Sequence, residues 1–234
     1  MARFIVIDGL DGCGKATQTA KLKESLEAMG KKVVTITFPN YDSGSSTAVK
    51  MYLNGEIGKD PSKLNPYMCG SFYAVDRFIS YEQKYKEYFN ESDDTIIISD
   101  RYLSANIIHQ GGKLDNITER RNYAKWCYDF ECGLCGMPIE DMTILLTIPP
   151  KASQKLLSNR YSGDETKKDI HEHNVKYLED CYDRLGDTVK YLNEQDSINW
   201  CWIDCYDSNN DRVMTIDEIH KIILEKVIAL INKS

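Results

Sequence analysis

The chain has 234 residues, 42% of them hydrophobic and 28% charged. These proportions exclude a disordered tail, a collagen-like repeat and a disulfide-stapled miniature, and one compact domain accommodates the length. Twenty-nine Lys and Arg against 36 Asp and Glu give a formal net charge of −7, which argues against nucleic acid or an anionic membrane as partner, so any anionic ligand needs a local positive site.

In chain order, short apolar runs rich in Ile, Val and Thr predict five buried strands at Phe4 to Asp8, Val33 to Phe38, Thr95 to Ser99, Met142 to Ile148 and Trp200 to Ile203. Helical spacing covers Lys15 to Met29, Pro61 to Phe89, Ser104 to Cys132, Ala152 to Asn159, Asp169 to Leu192 and Thr215 to Ile231. Continuous apolar strands separated by helices are what a parallel sheet covered on both faces requires, so the expected fold class is α/β, a doubly wound sheet in a single domain over 1–234. Tyr161 to Lys168 carries no aliphatic side chain and includes Gly163, and reads as an exposed loop and candidate lid over about 160–168. The opening apolar run is too short for a signal peptide or a membrane span, and the expectation is a cytoplasmic protein whose eight cysteines are reduced and mostly buried.

The strongest motif is FIVIDGLDGCGKATQ, a strand running through Gly9, Leu10, Asp11, Gly12, Cys13, Gly14 and Lys15 into a helix. Glycines let successive N–H groups turn inward, the helix offers the positive end of its dipole, and Lys15 adds a charge for β and γ phosphates, so the motif points to a nucleotide polyphosphate, the alternative being a glycine-rich turn with no ligand. The residue after Lys15 is Ala16 where the pattern wants a hydroxyl for magnesium, and Thr17, about 100° further round the helix, is no simple replacement. Asp11 inside a phosphate loop needs a partner: magnesium, a sugar hydroxyl of a second substrate, or backbone N–H groups of the loop. Cys13 sits before a helix N-terminus, where a thiolate is favoured, so an alkylating agent is expected to block nucleotide binding there.

Asp100 and Arg101 follow the third strand, where ligands bind in open α/β sheets. Asp100 is a candidate for magnesium's water shell and Arg101 for a bidentate phosphate clamp, the alternative being a structural ion pair. Lys151, Lys155, Arg160, Lys167 and Lys168 outnumber Glu165 and Asp164 around the candidate lid, a positive patch able to neutralise a migrating phosphoryl group, or simply a solvated loop. No carboxylate accompanies Phe38-Pro39-Asn40 after the second strand, which favours an acceptor that needs no general base, a nucleoside monophosphate.

Together these residues resemble the thymidylate kinase family, ATP-dependent kinases of dTMP. The resemblance rests on the GLDGCGKATQ loop, Phe38-Pro39, Phe72 to Arg77, Asp100 to Asn106, Gln110-Gly111, Pro149-Pro150 and Lys168 to Glu172, and spans nearly the whole chain. It implies a P-loop kinase fold with five parallel strands, a homodimer, and ATP with Mg as co-substrate and cofactor. It further implies that Phe72 stacks on thymine, Arg77 hydrogen-bonds the base and Asn106 reads its edge, with Phe38 and Pro39 also on the substrate side. Arg101 would hold the dTMP phosphate, Asp11 the 3′-hydroxyl or the metal, Lys15 the ATP phosphates, and Arg160 the transferring group. Departures are Ala16, His109 where the family often has tyrosine, and a single lid arginine. Other readings are a kinase of another monophosphate, or a non-catalytic nucleotide-binding protein.

Two further patterns are decoys. Asp207 to Asp211 with Glu218 mimics calcium-loop spacing but has Arg212 at the glycine position, and Thr215-x-x-Glu218 as a capping box explains it better. Cys132-x-x-Cys135 lacks a second metal-ligand pair and reads as buried thiols.

Overall fold

The computed structural model describes residues 2–91, 94–160, 169–195 and 198–232; of 157–160 only the helical backbone is described. Five strands, β1 (Arg3–Gly9), β2 (Lys32–Thr37), β3 (Thr95–Asp100), β4 (Met142–Thr147) and β5 (Trp200–Asp204), form one parallel sheet in the order β2-β3-β1-β4-β5. All five lie at the expected places, differing only at their ends. Alternation does the packing: Phe4, Val6, Ile97 and Leu145 feed the core on one face, while Ile5, Ile7, Ile96, Ile98, Ile144 and Leu146 feed the other.

The helices are α1 (Lys15–Ala28), α2 (Thr47–Leu53), α3 (Pro66–Ser80), α4 (Lys86–Phe89), α5 (Leu103–His109), α6 (Ile117–Tyr128), α7 (Pro150–Arg160), α8 (Ile170–His173), α9 (Val175–Asn193) and α10 (Ile216–Ile231). Leu22 and Leu26 of α1 meet Ile219, Ile223 and Val227 of α10 over one sheet face. Ile107, Tyr123, Cys127, Tyr177 and Cys181 from α5, α6 and α9 cover the other.

Several stretches differ from expectation: the segment from Asp169 to Leu192 is split at Asn174 into α8 and α9, and that from Pro61 to Phe89 opens with a separate turn at Pro61–Lys63 before α3. The helix expected from Ser104 to Cys132 breaks at Gly111–Lys113, because α9 lies directly on that backbone: a Cβ on Gly112 would fall 2.4 Å from Cys181 Sγ and 2.9 Å from its Cα. Helix α2 was not foreseen. It is seven residues long and β-branched in part, so it rests on tertiary contacts, with Val49 and Tyr52 fully buried. A small hairpin, β6 (Tyr206–Asp207) with β7 (Arg212–Val213), holds the calcium-like sequence. There Asp207 Oδ1 accepts from the N–H groups of Asn209 at 3.1 Å and Asn210 at 3.2 Å, a turn rather than a metal loop. The Thr215–Glu218 capping box opens α10 as expected. All eight cysteines are free thiols.

Candidate active site

β1 ends at the centre of the sheet and its chain turns through 10–14 into α1. Gly9 has φ +149° and a Cβ there would stand 2.1 Å from the Leu146 carbonyl oxygen of β4, so only glycine fits; Gly12 and Gly14, at φ 84° and 89°, make the left-handed turns that follow. No acidic side chain occupies the first turn of α1, leaving its N-terminal dipole free for an anion. Lys15 is folded back on the loop, its Nζ donating to the carbonyls of Gly9 at 3.0 Å and Leu10 at 2.9 Å. Gly12, Gly14, Lys15, Ala16 and Thr17 form one wall of an open cleft of about 1740 Å³. Ala16 and Thr17 thus both face it, and Ala16 brings no metal ligand.

Cys13 corrects an expectation. Its side chain is buried beneath the loop in the core formed with Ile5, Ile7 and Leu22, and burial raises its thiol above the ordinary value despite Lys15 nearby. It is therefore an unreactive packing thiol whose backbone serves the loop.

β3 ends beside β1, with Asp100 in register with Ile7. Arg101 follows in the left-handed region at φ 68° and turns its guanidinium onto the Asp11 carboxylate, with Asp8 Oδ1 at 3.8 Å. Burial alone would raise Asp11, but Arg101 and Lys15 outweigh it and hold the carboxyl far below its usual range. Burial alone would lower Arg101, and Asp11, Asp8 and Asp100 reverse that and raise it. Asp8, a residue the sequence reading passed over, is fully buried, accepts from Ser104 Oγ at 2.5 Å and the Gly9 N–H at 2.8 Å, and is raised by burial. Behind the loop 38–45, buried Asp76 accepts from the Asn40 N–H at 2.9 Å and Ser45 Oγ at 2.6 Å, holding Phe38 and Pro39 over the site.

Asp100 Oδ1 is buried without a hydrogen-bond partner, and Asp100 lines the phosphate cleft. An orphaned hard oxygen beside a polyphosphate site fits magnesium, which takes one or two carboxylates and completes its octahedron with phosphate oxygens and water. No group of three metal-ligating side chains occurs among the described residues.

A second, narrower cavity opens behind Arg101. Arg77 and Asn106 line it. Arg77 is clamped by Glu131, Nε to Oε2 and Nη2 to Oε1 at 2.6 Å each, and donates through Nη1 to the Tyr102 carbonyl at 3.3 Å. Phe72 does not line the cavity: it packs in the small cluster of Val49, Tyr52, Leu53 and Cys69, and the ring on the wall is that of Tyr73. The physical reason is helix phase. One residue along α3 is about 100°, whereas Tyr73 stands four residues before Arg77 and shares its face. That i, i+4 spacing to Arg77 is the signal by which the sequence could have found it.

His109 lines the same cavity, its ring stacked on His171 at 5.2 Å and 17°. Burial pushes His109 down to about 3 and His171 well below the ordinary value, so both rings are neutral at pH 7. Tyr52 Oη lies 2.7 Å from His171 Nε2 beneath them. Asp169 caps α8, accepting from the N–H groups of His171 at 2.8 Å and Glu172 at 3.0 Å, and burial with Asp11 facing it raises its carboxyl to about 7. Asp169 and Tyr41 had been given no role. The Arg160 side chain and 161–168, the candidate lid, lie outside the described residues.

The two cavities share Asp11, Phe38, Pro39, Tyr41, Arg101 and Asp169. A family model, thymidylate kinase, matches residues 7–208. The chain belongs to the thymidylate kinase family. A thymidylate kinase from Plasmodium falciparum is 25% identical over 96% of this chain and 89% of its own length, and one from Mycobacterium tuberculosis is 29% identical over 68% and 71%. A solved thymidylate kinase structure from Candida albicans shares the fold, with a TM-score of 0.67 at 18% identity over 97% of this chain and 92% of that one. Within the family's fold, no helix among the described residues of this thymidylate kinase relative is long and apolar enough to cross a membrane.

Proposed function

We propose that the protein transfers the γ-phosphate of ATP to dTMP, giving ADP and dTDP, with the whole chain acting as one P-loop kinase domain. The observation that carries this reading is the junction of the two cavities at Asp11 and Arg101, a phosphate cleft on one side and a base-sized pocket on the other. ATP fits the cleft through the loop N–H groups and Lys15, which exchanges the carbonyls of Gly9 and Leu10 for phosphate oxygens. The acceptor fits the pocket with its base against Tyr73, Arg77 and Asn106 and its phosphate on Arg101, in line with the γ-phosphorus. A dTMP phosphate oxygen attacks that phosphorus, the bond to the β–γ bridging oxygen breaks, and its electron pair leaves on ADP. No base is required, because the monoester has lost its second proton above about pH 6.

Asp11 holds Arg101 at the junction and is placed to accept from the acceptor's 3′-hydroxyl. Asp100, whose Oδ1 lacks a partner, would help hold magnesium, which would supply positive charge toward the β and γ phosphates. Arg160 is the proposed source of a further positive charge from 160–168. Met68, Val75 and Phe78, exposed along one face of α3, support a homodimer, and the free thiols support a reducing compartment, the cytoplasm.

The test is ADP release with MgATP and each of dTMP, dUMP, UMP, dCMP and thymidine. Stimulation greatest with dTMP is expected. ATP binding with no acceptor-dependent ADP release would leave a nucleotide-binding protein in its place.

A further inference from the structure

Glu131 does not line the acceptor cavity, yet two polar side chains that do, Arg77 and Asn106, are tied to it. It sits in the π-helical turn Asp129–Leu134 that ends α6 and is 2% exposed. Its Oε2 takes Arg77 Nε from α3, and its Oε1 takes both Arg77 Nη2 and, at 3.3 Å, Asn106 Nδ2 from α5. One carboxylate thus joins three helical segments around the pocket.

We propose that Glu131 is a positioning residue that sets the polarity of the base-reading edge, fixing Arg77 as its donor and Asn106 as its acceptor; this rests on the reading that the cavity takes the acceptor's base. Asn106 Nδ2 faces two acceptors, Glu131 Oε1 and the Gly70 carbonyl at 3.1 Å. An amide turned the other way would set its oxygen against both, so the orientation is determined and Oδ1 is left for the cavity. Arg77 spends three of its five N–H groups on Glu131 and Tyr102, and those remaining can only donate.

A donor beside an acceptor is complementary to a carbonyl beside an N–H, the edge that thymine and uracil present at O4 and N3. Cytosine presents an amino group and a lone pair there, mismatched at both points, and leaving buried polar groups unpaired is what rejects a wrong substrate strongly. Glu131 also neutralises Arg77. A bare guanidinium at the base end, 1% exposed, would be a second anion site competing with Arg101 for the acceptor's phosphate, and pairing removes that alternative pose.

The experiment compares dTMP, dUMP and dCMP in wild type, Glu131→Gln and Glu131→Asp, by calorimetric affinity and by kcat and KM at saturating MgATP. In Glu131→Gln one oxygen becomes an N–H donor facing other donors, which frees the Asn106 amide to turn. The dTMP:dCMP preference is expected to shrink about tenfold, the worth of one charge-assisted hydrogen bond, through affinity and KM rather than kcat. The dTMP:dUMP preference rests on the 5-methyl group, away from this edge, and should stay within about twofold. Glu131→Asp keeps the carboxylate and should fall between; if Glu131→Gln does not fold, Glu131→Asp carries the test by the same two ratios. Equal loss toward all three nucleotides, or an unchanged dTMP:dCMP ratio, would overturn the proposal, as would a wild type that binds dCMP as well as dTMP. Wild type that binds dTMP selectively but releases no ADP would refute the transfer reaction and leave this inference standing.

Discussion

Replacing Arg101 by alanine removes a guanidinium that lines both cavities, and its cost can be worked from its contacts. Losing a charge-assisted hydrogen bond to the acceptor's phosphate costs about 1.5 to 3 kcal/mol, or roughly 10- to 150-fold in kcat/KM for dTMP. A second loss adds to the first. Without Arg101 the Asp11 carboxylate keeps, among the described residues, Lys15 at 3.8 Å as its close cation, so Lys15 is drawn from the ATP phosphates and kcat falls as well as acceptor affinity. Arg101→Lys restores the charge without the planar fork and should recover only part of the loss. The assay is ADP release over a range of dTMP concentrations at saturating MgATP, with thermal melts to show that the variants fold. A folded Arg101→Ala enzyme with wild-type kcat and KM would refute the placement of the acceptor phosphate.

Two further outcomes follow from single carboxylates. Asp100→Asn keeps the shape and removes the charge of the orphaned oxygen, so the Mg concentration for half-maximal rate should rise about tenfold with little change in Tm; an unchanged Mg titration would exclude Asp100 from the metal's shell. Asp169, raised to about 7 by burial and by Asp11, binds its proton in the folded chain at pH values where the unfolded chain has released it, so its stabilisation is present below about pH 4 and lost as pH rises through about 7. Asp169→Asn still caps α8, and its Tm should climb relative to wild type between pH 4 and 7.5 without ligand; a constant difference would show that Asp169 does not titrate there.

The strands were legible because a parallel sheet buried on both faces demands unbroken apolar runs, and the phosphate loop because glycines, lysine and helix must follow one another in sequence. What escaped depends on neighbours that sequence does not rank. Phe72 and Tyr73 are adjacent rings, and only the phase of α3, anchored by Arg77, decides which faces the pocket. Glu131 is unremarkable in DFECGLC until folding brings α3 and α5 to it. Cys13 looked reactive from its place before a helix, but β1 and α1 bury it and desolvation outweighs the pull of Lys15 and Arg101. Helix α2 is carried by its contacts rather than by its propensity.

The left-handed backbone at Arg101 has a consequence for how this chain can change. A non-glycine residue there stores about 1 kcal/mol of strain, so position 101 is occupied against its own conformational preference. That strain is small beside the roughly 3 to 5 kcal/mol that removing one partner of a buried ion pair costs, so glycine or asparagine at 101 would relax the backbone but leave Asp8 and Asp11 without their guanidinium, at a net loss. Robustness and catalysis therefore both hold arginine at this position, and a drifting population is expected to keep it whichever of the two is being selected.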